Sequence, residues 1–304
     1  MSATDADPAT RSPVPDTPRL RERAFLALQH LLPRRRLSAL VHRLARSRKP
    51  WLKNLLIRGF MRYFRISLED AEVRQAEGFV SFNAFFTRAL VAGARPLPED
   101  PDVIVSPADG RLYHAATLDG DRMLQAKGHD YSLAALLADH PRAAALADGL
   151  ALTIYLAPYN YHRFHMPLDG QLVAMSHVPG DLFSVNETTA RLLPGLFARN
   201  ERVVCHFDTD CGPVAVVLVG ALNVGSIETV WAGEVTGWGG REVRHYDYAA
   251  QGGVRLARGE ELGRFNMGST VIVVLPRGGA QVDGDVVAGQ VVRVGQALAR
   301  RHRG

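Results

Sequence analysis

After Pro98 the chain breaks into short, mostly β-branched runs bounded by Gly, Pro and Asp. Val103-Ile104-Val105, Leu152 to Leu156, Val203 to Phe207, Val214 to Leu222, Val271 to Leu275 and Val291 to Val294 are all strand-length. Apolar runs of this length between turn residues read as strands, so the body of the molecule has to be β-rich. Helical interruptions are expected at Leu133 to Ala138 and around Glu187 to Leu193. The segment Gly284 to Gln290 has the rhythm of a hairpin in a small barrel or sandwich. No run approaches the roughly 18 apolar residues that a membrane-spanning helix needs.

The first third has a different pattern. Residues 1–18 are rich in Pro, Asp, Thr and Ala and lack an apolar core, so a disordered tail rather than a signal peptide is expected there. From 19 to 98 the periodicity is helical. Leu20, Ala24, Phe25, Leu28, Leu31 and Leu32 share one helix face that ends before Pro33, and Leu37, Leu40, Val41 and Leu44 repeat the pattern. Pro50 opens a third helix carrying Trp51, Leu55, Leu56, Phe60 and Phe64. Further helix is expected over 67–98, including Ser81 to Leu90. The expected fold class is therefore α+β: N-terminal amphipathic helices followed by a β-rich, barrel- or sandwich-like catalytic body over 99–304.

Charge separates the same two regions. Between Arg19 and Arg65 stand fourteen basic residues against Glu22 alone, a net +13. Of the chain's net +5, the remainder therefore carries −8. Apolar helix faces backed by arginines suit an anionic membrane surface. A helical subdomain packed on the body is the plainer reading. Nucleic acid is a third, but no base-reading motif accompanies the charge. Cys205 and Cys211 form neither a C-x-x-C motif nor a disulfide framework, which points to a reducing compartment.

Three places could carry chemistry. Asp109 projects from the turn Ser106-Pro107-Ala108-Asp109-Gly110, where it could also simply cap that turn. His162 and His165 stand three apart in Tyr161-His162-Arg163-Phe164-His165-Met166-Pro167. They could act as bases, ligate a metal or serve structure, but no further His, Cys or carboxylate completes an obvious ligand set. Ser269 lies in Gly268-Ser269-Thr270, just ahead of Val271 to Leu275. With Asp109 and His165 it could make an Asp–His–Ser set. The G-x-S-x-G elbow is absent, because Met267 and Val271 occupy its glycine positions. Gly225-Ser226 is a second Gly-Ser step of the kind that arises by chance.

Taken together, the motifs resemble the bacterial phosphatidylserine decarboxylase proenzymes. The likeness runs from about Trp51 onward. It rests on Phe82-Asn83-Ala84-Phe85-Phe86-Thr87-Arg88, the Asp109 turn, Lys127-Gly128-His129-Asp130-Tyr131-Ser132-Leu133, the His162–His165 block, Leu182-Phe183-Ser184-Val185-Asn186, Phe197 to Arg202, Asn223 to Glu228 and Gly268-Ser269-Thr270, in that order. Met267 replaces the family's usual Leu, and Asn160 stands where many members have Asp. The resemblance implies self-cleavage between Gly268 and Ser269, with His165, oriented by Asp109, taking the Ser269 proton. Ser269 would become a pyruvoyl group, the only cofactor, with no metal. Phosphatidylserine would form a Schiff base on it and lose CO₂ to give phosphatidylethanolamine, with His162 handling the proton or the carboxylate. The partners implied are phosphatidylserine, an anionic membrane surface, the chain's own two fragments as a heterodimer, and a higher homo-oligomer, with no nucleic acid. The implied location is peripheral, on the cytoplasmic face of the cell membrane. A membrane-associated Ser-His-Asp lipid hydrolase would use the same triad without cutting its chain. A carrier domain would need a Lys at the tip Val282-Asp283-Gly284-Asp285, which has none.

Overall fold

The structure is a computed structural model that describes residues 20–126, 129–222, 226–235, 242–266 and 269–302. The expected disordered tail and Gly268 lie outside the described residues.

Three helices open the chain: α1 (Leu20–Leu31), α2 (Arg34–Ala45) and α3 (Pro50–Phe64). Pro33 ends the first, and Pro50 starts the third at its first turn. Part of their burial is inverted. Gln29, Ser38 and Lys53 are buried, whereas Leu31 (83%), Trp51 (67%) and Tyr63 (81%) are exposed. The polar groups are satisfied by the body: Gln29 donates to Thr189 Oγ1 and accepts from the Ser184 N–H. Arg34 pairs with Asp181 at 3.0 Å and lies 3.6 Å over the Phe183 ring. The inner face of α3 joins Phe79, Phe82, Phe85 and Phe86 in a separate aromatic core.

The helix expected over Ser81 to Leu90 spans only Phe82–Phe86. Ser81 caps it by accepting from the Ala84 N–H, and Thr87 closes it by donating its hydroxyl to the Asn83 carbonyl. Leu90 then leaves to form an isolated bridge with Ala71.

The body is organised around Ser269–Leu275, which is paired antiparallel on both sides, with Leu150–Leu156 and with Gly212–Val219. These three strands form the middle of a nine-stranded sheet. Val271, Val273 and Leu275 enter one core cluster and Ile272 and Val274 another. Both faces are covered, so the strand reads as a continuous apolar run instead of an alternating one. A four-stranded sheet carrying Arg163–His165, Glu261–Phe265 and Ile227–Thr229 contributes Phe164 and Phe265 to the first cluster.

The α+β class holds, but among the described residues no sheet closes into a barrel. The expected C-terminal hairpin is also not formed. Ala280–Val282 pairs with Ala297–Arg301, whereas Val291–Val292 pairs with Gly110–Thr117 in the large sheet. The turn-rich stretch between them is a link from one sheet to another. Among the described residues no helix is long and apolar enough to cross a membrane.

Candidate active site

Backbone pairing brings the three sequence motifs together. The short strand Arg163–His165 pairs with Glu261–Phe265. The His165 N–H donates to the Pro107 carbonyl, two residues before Asp109, and the His162 carbonyl accepts from the Phe265 N–H, four residues before Ser269. Strand periodicity does the rest. Ser269 shares a face with Val271, Val273 and its cross-strand partner Leu156, the face covered by Phe164, Met166, Phe265 and Ala108. The strand Arg163–His165, with His162 just before it, and the Asp109 turn therefore pack on the side of the sheet to which Ser269 belongs.

Asp109 is held by groups the sequence did not single out. Arg95 grips it with two nitrogens, Nε to Oδ1 at 3.0 Å and a terminal nitrogen to Oδ2 at 2.6 Å. The Val294 N–H adds a third bond to Oδ1 at 2.9 Å. Both carboxylate oxygens are thereby engaged, and among the described residues none of their bonds goes to His165. That is a departure from the expected orienting pair. The next residue, Gly110, has to be glycine, since a Cβ there would sit 2.3 Å from the Tyr155 carbonyl oxygen.

The imidazoles have fixed tautomers. A carbonyl can only accept, so His165 donates Nδ1–H to Gly259 at 2.9 Å and leaves its Nε2 lone pair to the Tyr161 hydroxyl at 3.0 Å. His162 likewise donates Nδ1–H to the Asn160 carbonyl at 2.8 Å, and its ring lies 3.9 Å from that of Phe86. Its Nε2 is buried with no partner among the described residues. Burial, with the Arg88 charge nearby, pushes His162 down to about 3. Burial also lowers His165, against a small upward pull from Asp109 and Glu261. Both rings are therefore neutral bases near pH 7. Asn160 acts here through its backbone carbonyl, and its side chain accepts from the Ala157 N–H.

A stability prediction follows. His206, buried elsewhere in the large sheet, is also pushed down to about 3, by burial and by His140 and Arg142. Below the ordinary value of 6.5, the unfolded chain binds protons at His162 and His206 that the folded chain refuses. Stability should fall as pH drops through that range, by up to about 2 kcal/mol per histidine between pH 6.5 and 5. Urea titrations at the two pH values check this. His206→Gln should remove its share of the slope; an unchanged slope would show that His206 accepts a proton when folded.

Ser269 is fully buried, and its Oγ has no hydrogen-bond partner among the described residues. The approach to it is clamped. Asn266 donates to Ser226 Oγ at 2.7 Å, accepts from Asn83 at 2.9 Å, and bonds the Ser226 carbonyl through its own N–H. Ser226 thus has a structural use that its Gly-Ser step did not suggest, and Asn83 comes from the Phe82–Arg88 block. A buried hydroxyl and a buried imidazole nitrogen without partners are rare enough to need a reason. Among the described residues no cluster suited to a metal ion occurs.

Comparison with known proteins gives this layout a family. The phosphatidylserine decarboxylase family model matches residues 82–300, and a second, shorter model, PSD, matches residues 24–65. The phosphatidylserine decarboxylase proenzyme of Methylococcus capsulatus is 50% identical over 275 residues, 90% of this chain and 95% of the relative. That of Alkalilimnicola ehrlichii is 53% identical over 249 residues, 82% and 86% of the two chains. That of Pseudomonas aeruginosa is 50% identical over 283 residues, 92% and 97%. The chain is a carboxy-lyase of the decarboxylase type. It belongs to the phosphatidylserine decarboxylase family. None of these three relatives is named for hydrolysis, so the lipid-hydrolase reading gains no support.

Proposed function

We propose that the chain is a proenzyme that cuts itself between Gly268 and Ser269, and that the cut protein decarboxylates phosphatidylserine to phosphatidylethanolamine at a membrane surface. The observation that carries this is Ser269: a buried hydroxyl without a partner among the described residues, at the first residue of the central strand, on the face where the His162–His165 segment and the Asp109 turn pack.

In the first stage, Ser269 Oγ attacks the Gly268 carbonyl as His165 takes its proton. The peptide link becomes an ester. Loss of the Ser269 α-proton expels the Gly268 carboxylate and leaves dehydroalanine at 269, which takes up water and releases ammonia to become pyruvoyl. Tyr161 donates to His165 Nε2 in the structure, so it has to give up that lone pair or pass the proton on. The Gly259 carbonyl and Glu261, and last Asp109, favour the imidazolium as it forms. Asp109 thus acts through the field and through its turn, while Gly259 orients the ring.

When formed, the pyruvoyl group supplies an electron sink for the pair left behind by CO₂. The chain's own part is proton handling. His162, neutral at rest, handles the proton that the α-carbon takes up after CO₂ leaves. Phe86 keeps that nitrogen away from water. Cleavage does not free the small fragment, because Ser269–Leu275 is hydrogen-bonded on both sides and Ala297–Arg301 pairs with Val103–Val105. The two fragments stay together as a heterodimer.

Helices α1–α3 support attachment to an anionic membrane surface. Arg21, Arg23, Arg36, Arg43, Arg58 and Arg62 stay exposed, and Leu31, Leu40, Trp51, Leu55 and Tyr63 are left outside with them. Vesicles containing phosphatidylglycerol should float the protein. Trp51→Glu with Leu55→Glu should cut the bound fraction at least about tenfold, since each change removes roughly 1.5–3 kcal/mol of apolar burial. Equal flotation would place the membrane contact elsewhere. The reaction itself is tested by intact-mass measurement and by CO₂ release from carboxyl-labelled phosphatidylserine. Two fragments, the smaller beginning with a carbonyl-bearing residue 269, support the proposal; a single intact, active chain overturns it.

A further inference from the structure

Beside Asp109 lies a cavity of about 390 Å³ whose lining includes Arg88, Arg95, Asp109, Tyr159, Tyr161 and Arg293. Buried Arg88 and half-buried Arg95 are differently placed. Arg95 is neutralised by Asp109 and Asp70. Arg88 is only 8% exposed, yet among the described residues no carboxylate, carbonyl or hydroxyl accepts a hydrogen bond from its guanidinium. Its one close companion is the Phe85 ring, 5.7 Å away. Asp109 is within electrostatic range, but Arg95 and the Val294 N–H already engage its two oxygens. Arg88 also acts electrostatically on His162, so it stands between the two motifs.

A guanidinium that lines a cavity without an acceptor from the chain is open to an anion, and its planar fork is shaped to take two oxygens of one. We propose that Arg88 receives an oxyanion of the lipid headgroup and so positions the substrate beside His162, an inference that rests on the decarboxylase reading above. The cavity has a route for a lipid. Tyr159, on its lining, lies 6.3 Å from Phe64 at the end of α3, next to the exposed ring of Tyr63. The substrate carries two oxyanions, the carboxylate that leaves and the phosphodiester that stays. The chemistry that Arg88 recognises is common to both.

Arg88→Gln and Arg88→Lys in the full chain test the assignment. The Gln variant should raise KM for short-chain phosphatidylserine about ten- to a hundredfold, the loss of one charge-assisted contact, with a smaller fall in kcat. The Lys variant should recover part of it, which a purely structural role would not predict. Direct binding, measured in a Ser269→Ala background that cannot turn over, separates the two sources. If Arg88→Gln weakens phosphatidylserine and phosphatidylethanolamine alike, the phosphodiester is the partner; if it weakens only phosphatidylserine, the carboxylate is. Diacylglycerol, which has neither, should bind the two equally. KM and binding of both phospholipids within about twofold of the unsubstituted protein would overturn the inference, as would equal losses for diacylglycerol. Failure of the wild-type chain to release CO₂ would sink the decarboxylase reading instead, and the binding comparison would still judge Arg88.

Discussion

Ser269→Ala should remain one uncut chain with no measurable decarboxylation. The substitution removes the only atom that the cleavage requires as nucleophile and the only side chain that becomes pyruvoyl, so the loss is total. Stability distinguishes this from misfolding. Ser269 Oγ is buried without a partner among the described residues. Deleting an unsatisfied buried hydroxyl removes its desolvation penalty, roughly 1–3 kcal/mol, while giving up little packing. The variant should therefore unfold no more readily than an uncut wild-type chain. Intact mass, a urea midpoint and CO₂ release can be measured on one preparation. A cut Ser269→Ala chain would move the cleavage site elsewhere. An uncut but active one would remove the need for pyruvoyl altogether.

How much of this was legible in the sequence depends on whether the cause is local. Val271 to Leu275 was readable because both faces of the central strand are covered, which leaves an unbroken apolar run. The three opening helices were readable from their Leu spacing and from Pro33 and Pro50. Their inverted burial was not, because the acceptors for Gln29 and Arg34 lie about 150 residues away, at Thr189 and Asp181. The same holds at Asp109. Its turn was visible, but its partner Arg95 sits in an irregular segment with no pattern to mark it. Ser81 to Leu90 was read too long because its Phe periodicity serves a compact aromatic cluster and Thr87 ends the helix early. The hairpin at Gly284 failed because turn residues show that the chain bends, not which sheet receives the strand that follows. Ser226 had looked like a chance Gly-Ser step, and its contact with Asn266 is again tertiary.

The second large effect concerns the division of labour between the two histidines. His165→Gln should slow self-cleavage by about 10²–10⁴-fold, the usual worth of a positioned proton acceptor, and decarboxylation should fall with it because no mature enzyme accumulates. His162→Gln should mature at close to the wild-type rate and then decarboxylate about 10²–10⁴-fold more slowly. The structure gives grounds for the split. His165 is tied by its backbone to Pro107 of the Asp109 turn and by its ring to Gly259. His162 makes none of those hydrogen bonds. Its ring rests on Phe86, its neighbour in charge is Arg88, and its Nε2 is held in reserve. Gln preserves a donor for each histidine's carbonyl partner, so geometry is disturbed less than by Ala. Following the fragments by mass over time, and assaying only the cut fraction, separates the two stages. If His162→Gln stays uncut, its nitrogen belongs to the cleavage machinery. If His165→Gln cuts normally, Tyr161 or His162 must be the base that Ser269 uses.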